Sequence, residues 1–271
     1  MNRGLLDKSI REVWPMTAII GGGLLILEIL FARVLPTFYK NLSETVFQVE
    51  FIRQIIAAFL GTEAAAVIGP AAMSAMAWVH PIVLTLVWVQ AISVCTRVPA
   101  GEVDRGTIDI LLSLPVTRLS VYRTESAVWL ASGLVVIAAG LFGNVFGGWS
   151  IETNLVGTVG RRAWVSVNLY ALYVAVGGVA FLGSSMCNRR GRAVGVVIAF
   201  LITSFLLNFL AAFNATFKRF SFLSLMDYYR PLFILQGDIR PIRHIAILVV
   251  VGAVCWAAGA VIFNRRDVRT V

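Results

Sequence analysis

The chain has 271 residues, of which 59% are hydrophobic and 14% charged, with a formal charge of +9. A soluble domain carries roughly 25% charged residues, so this composition excludes a soluble globular class and predicts an integral membrane protein. Most basic residues fall in short gaps between apolar runs, which favours anionic lipid over nucleic acid as their counterpart.

Residues 1–14 predict an interfacial helix, with Leu5, Leu6, Ile10 and Val13 on one face and Asp7, Lys8, Arg11 and Glu12 on the other. A frayed tail is the alternative. Pro15 predicts a bend into the first span. The apolar run continues into Phe31, Ala32 and Arg33 with no small-x-small cleavage site, so this segment is expected to be retained. Six apolar runs predict spans at about 17–35, 71–95, 126–149, 164–187, 193–213 and 244–263. As helices they are long enough to cross a ~30 Å hydrocarbon core. An open sheet would leave backbone groups unpaired in lipid, so the expected fold class is all-α. With the amino terminus inside, the inner segments hold the denser basic clusters, such as Arg189, Arg190 and Arg192. The positive-inside bias therefore predicts that both termini are cytoplasmic.

Between the first two spans, Phe51–Gly61 is too short to cross and too apolar for water, so it is expected at the interface or dipping between helices. The long connection at about 214–243 carries aromatics and Pro231, which predict a cap over the fifth and sixth spans. Within the spans, Glu28 is costly and marks either a substrate path or a bond between helices. Asn144, Asn168, Ser204 and Asn208 are expected to join helices, with Asn168 and Asn208 also candidates for the pathway, and Gly143 and Gly147 form a small-xxx-small pair. His80 and His244 stand apart and predict no metal site. Cys95, Cys187 and Cys255 have neither disulfide nor zinc spacing.

One charged stretch interrupts the apolar chain: GEVDRGTIDILLSLPVTR, residues 101–118. Glu102 and Asp104 suit a helix amino terminus. Ile108, Leu111 and Leu112 recur at helical spacing, Arg105 and Asp109 are placed to pair, and Pro115 should end the helix. The prediction is a short amphipathic helix that needs a groove to dock in.

The ordered set Glu102, Arg105, Gly106, Thr107, Leu111, Leu112, Ser113, Leu114, Pro115, Val116, Thr117 and Arg118 resembles the loop of ABC type-2 exporter permeases. The NRRGRA turn, the Tyr228-Tyr229-x-Pro231 stretch and the FNRRD exit at residues 263–267 are similar to the same family, in its drug-export and copper-enzyme-maturation subgroup. Thr124-Glu125 departs from it, since many relatives place Gly-Lys there. The resemblance implies an all-α transmembrane domain spanning residues 1–271, with an amino-terminal elbow helix, six spans and a coupling helix within 101–118. It implies two permeases in a plasma (inner) membrane, each docked on a separate ATPase subunit through Glu102, Arg105, Gly106, Thr107, Asp109, Leu111 and Leu112. The sequence contains no G-x-x-x-x-G-K-[ST], so ATP and magnesium are expected on the partner, with no cofactor or catalytic residue in this chain. The alternative is a membrane scaffold or sensor of the same fold that binds a cytoplasmic partner without transport.

Overall fold

A computed structural model describes residues 3–46, 49–60, 69–108, 113, 116–237 and 241–266, with the backbone alone at 39–46 and 154–155. The main helices are α1 (Arg3–Val46), α2 (Glu50–Leu60), α3 (Pro70–Val79), α4 (Pro81–Cys95), α5 (Arg118–Gly147), α6 (Val159–Met186), α7 (Arg190–Ala211) and α8 (Ile242–Arg265). Among the described residues, six helical segments are long and apolar enough to cross a membrane, with α3 and α4 counting as one. The described residues contain no strand. With six crossings, α1 starts and α8 ends on the same side, here called the terminal side.

The helices outrun the apolar runs. α1 continues through Pro15 and Pro36 for 44 residues. The helix is unbroken at Pro15, so the expected amino-terminal helix runs on directly into the first span. A proline removes one N–H, but neighbouring contacts can hold such a helix together. Here Leu5, Ser9, Val13 and Thr17 are all buried against the bundle. The expected apolar face splits accordingly, because Ile10 remains 45% exposed. The second span does break, at His80 (φ −55, ψ 132), where the His80 Nδ1 accepts the Ile82 N–H at 3.3 Å and caps α4.

Glycines set the closest helix contacts. A Cβ on Gly143 would strike the Leu25 carbonyl of α1, and one on Gly147 would lie 2.6 Å from the Ile29 carbonyl. The Gly143 and Gly147 pair thus lets α1 and α5 touch backbone to backbone. Gly178 of α6 meets Gly252 of α8 in the same way. Between α5 and α6 the fit is reciprocal, with the Tyr173 ring filling the space over Gly133 and the Trp129 ring that over Gly177. Tyr122, Trp129, Tyr173 and Phe181 form the buried aromatic centre where these helices meet.

On the far side α2 packs against α3 and α7, with the Phe59 ring against Phe205 and Phe209. The connection before α8 folds back onto the bundle. Ser204 accepts the Leu225 N–H at 2.8 Å, and Ser224 donates to the Ser204 carbonyl at 2.7 Å. Asn168 accepts the Arg230 N–H at 3.1 Å and donates to the Tyr228 carbonyl at 3.2 Å. Ser204 and Asn168 thus tie their helices to the far-side connection.

Candidate functional site: a charged hub on the terminal side

After α4 the chain makes an irregular turn, Arg97–Gly101, in which Val98 is extended (φ −131, ψ 131). The Gly101 N–H closes it on the Thr96 carbonyl at 3.1 Å. A single helical turn, Glu102–Asp104, follows. It ends at Gly106, whose φ of +68 lies in the left-handed region. The expected helix across residues 101–118 is therefore interrupted at Gly106. Within this chain that glycine is needed for its conformation, since a Cβ there would meet open space.

Glu102 is the centre of this turn and is only 3% exposed. Its carboxylate takes the Arg105 guanidinium at 3.1 Å, the Lys8 ammonium at 3.4 Å and the Thr107 hydroxyl. Burial alone would raise the Glu102 carboxyl. The Thr107 hydrogen bond and the charges of Lys8 and Arg105 outweigh it, so the carboxyl lies below its ordinary value. The structure thus gathers Glu102, Arg105, Gly106 and Thr107 into one knot, in which the Arg105 side chain is 56% exposed. Asp109, Leu111 and Leu112 lie outside the described residues.

Arg97 lies a few residues earlier and is almost fully enclosed. One arm of its guanidinium meets Glu12 on α1 and the other meets Glu125 on α5. Ser9 donates to the remaining Glu125 oxygen. A buried charge stripped of partners would cost several kcal/mol, so this set holds α1, α5 and the turn in fixed register. The same turn is tied to two more helices. The Ala100 N–H donates to Ser184 of α6 at 3.1 Å, and Asp104 accepts the Arg190 N–H at the start of α7 at 3.3 Å. Arg190 also donates to the Ser93 carbonyl at 3.1 Å.

Sequence reasoning missed Arg97 and its carboxylates. The signal was present as Glu125, an acid at the start of an apolar run, in the position where the family resemblance is broken. A neighbouring tie joins the end of the last span to the start of α5 and to the NRRGRA turn. Arg118 donates to the Arg266 carbonyl at 2.6 Å, and Arg266 donates to the Ser185 carbonyl at 2.9 Å and to Asn188.

The other predicted positions lie deeper. Glu28 on α1 is fully buried and accepts the Asn144 amide of α5 at 2.8 Å. Its other oxygen has no partner among the described residues. The Asn144 carbonyl in turn accepts from Arg162 of α6 at 3.1 Å. Asn168 holds the far-side connection, as above, and Asn208 is half-buried on α7. Glu28, Asn168 and Asn208 thus stand on three helices. Among the described residues no group of three or more His, Cys, Asp or Glu side chains could hold a metal.

The site joins one partly exposed turn to α1, α5, α6 and α7 through ion pairs and hydrogen bonds. No curated protein matches the chain. A family model described as ABC-2 family transporter protein matches residues 17–268, and on that match the chain belongs to the ABC-2 family of transporter proteins.

Proposed function

We propose that the chain is the permease subunit of an ATP-driven exporter. Two permeases pair, each docked on a separate ATPase subunit that holds ATP and magnesium. The expected setting is the plasma (inner) membrane, with both termini in the cytoplasm. The observation that carries this reading is the hub at residues 97–107, where one partly exposed turn is ionically or hydrogen-bonded to four helices.

In this reading the partner pushes on the surface around Arg105 and Thr107 as it closes on nucleotide. Glu102 passes the push to Lys8, and Arg97 passes it to Glu12 and Glu125. α1 and α5 then move together, because their backbones are in contact at Gly143 and Gly147. A packed bundle has discrete arrangements, so such a push shifts it between two states.

The test is purification of the tagged chain from its own host in mild detergent, with mass spectrometry of what accompanies it. A stoichiometric P-loop ATPase supports the reading. Arg105→Glu is expected to lose that subunit while inserting normally, and Arg105→Gln to retain part of it. If no ATPase is recovered, and none is trapped by cysteine crosslinking from residues 102–107, the scaffold or sensor reading takes its place.

A further inference from the structure

α1 and α5 touch backbone to backbone at Gly143 and Gly147 and are linked again on the terminal side by Ser9 and Glu125. There they leave a side-opening groove of about 330 Å³. Its walls are Leu6, Ile10 and Trp14 of α1 and Ala127, Ala131 and Val135 of α5. Trp14 is 58% exposed. An apolar trough on the flank of a membrane bundle faces hydrocarbon, and a chain of methylenes fits that chemistry.

Two cations precede its lining residues by one helical turn, towards the terminal side. Arg3 lies one helical turn before Leu6, and Arg123 one turn before Ala127. Both are exposed. Lys8 and Arg97 are engaged by carboxylates, whereas Arg3 and Arg123 form no ion pair among the described residues. An apolar trough near two exposed guanidinium groups complements an acyl chain beneath a phosphate.

We propose that this groove binds one anionic phospholipid from the terminal-side leaflet, its acyl chain between α1 and α5 and its phosphate between Arg3 and Arg123. Such a lipid braces residues 3–17, the stretch that delivers Lys8 and Glu12 to the hub. The inference rests on the geometry of this chain and does not require that it transport anything.

The test is native mass spectrometry of the full chain from detergent, titrated with phosphatidylglycerol or phosphatidylcholine of identical acyl chains. We expect one retained lipid per chain and about a tenfold preference for phosphatidylglycerol, given two basic groups near the headgroup. Ala131→Trp, at an exposed position that points into the trough, should abolish retention. Arg3→Gln with Arg123→Gln should keep a lipid but erase the preference. A phospholipid with a photoreactive acyl chain should label residues 6–17 and 127–135 of the unmodified chain, which decides the matter if Ala131→Trp fails to fold. Unchanged retention in Ala131→Trp, unchanged preference in the double variant, or labelling elsewhere overturns the proposal. So does a change in oligomeric mass at unchanged lipid count, which would assign the groove to a second copy.

Discussion

Glu28 and Glu102 are both buried carboxylates, but their surroundings differ. Glu28 has one neutral partner, the Asn144 amide at 2.8 Å. Glutamine can accept the same bond, so Glu28→Gln should unfold within a degree or two of the parent. Glu28→Leu leaves the Asn144 amide unsatisfied and should cost about 1–3 kcal/mol, read as a lowered Tm in detergent. Glu102 instead has Lys8, Arg105 and Thr107 around it. Its carboxyl lies below the ordinary 4.5 in the folded chain. The unfolded state therefore binds the proton more tightly. The stabilisation is complete above about pH 4.5 and is lost as pH falls through the lower folded value. Glu102→Gln should lower Tm at neutral pH, and the gap from the parent should narrow as the pH is taken below 4. A gap that stays constant through the acid range would show that the Glu102 charge does not stabilise the fold. Glu28, Asn144 and Glu102 all stood out in the sequence as polar groups in unusual places. Their pairings did not, because residues 28 and 144 are adjacent only once α1 and α5 pack.

At the scale of helices, hydropathy finds where a span must be but not where its helix stops. A run ends at its last apolar residue, whereas the helix goes on for as long as contacts support it. That is why α1 passes Pro15 and reaches Arg3. The opposite happens at residues 101–118. Glu102–Asp104 makes one helical turn, and Gly106 then takes a left-handed conformation that no helix continues through, while Leu111 and Leu112 lie outside the described residues. The Gly143 and Gly147 spacing was legible and points to the right face, because only residues without a side chain let two backbones meet. Gly143→Ala should strain the α1 contact and cost about 1–3 kcal/mol, since the Leu25 carbonyl cannot step aside. Gly195→Ala, in α7 with open space around it, should be neutral or gain up to about 1 kcal/mol from helix propensity. Thermal unfolding of the two variants side by side checks both directions.

Across the whole molecule, the charges are arranged so that no single helix owns the hub. Arg97 comes from the turn after α4, Glu12 from α1 and Glu125 from α5. Arg97→Gln leaves Glu125 buried without its cation and should cost about 3 kcal/mol or more. Arg97→Gln with Glu125→Gln should recover much of that loss, and a double-mutant cycle measures the coupling. Equal losses in the single and double variants would mean that packing, and not the ion pair, holds the turn. The fold class was readable because oil in six long runs admits little else. The hub was not, since its members lie far apart in sequence, with Glu125 standing 113 positions after Glu12, and meet only in the assembled bundle. α1 gives the assembly one more property. At 1.5 Å per residue its 44 residues reach about 66 Å, roughly twice the hydrocarbon thickness. In the proposed cycle, a helix that long, held by charges at one end and by glycines near its middle, would act as a lever with its fulcrum inside the bilayer. Small rotations at Lys8 and Glu12 would sweep a wide arc beyond the opposite headgroups, so a fluorophore near residue 46 would report events at the hub from across the membrane.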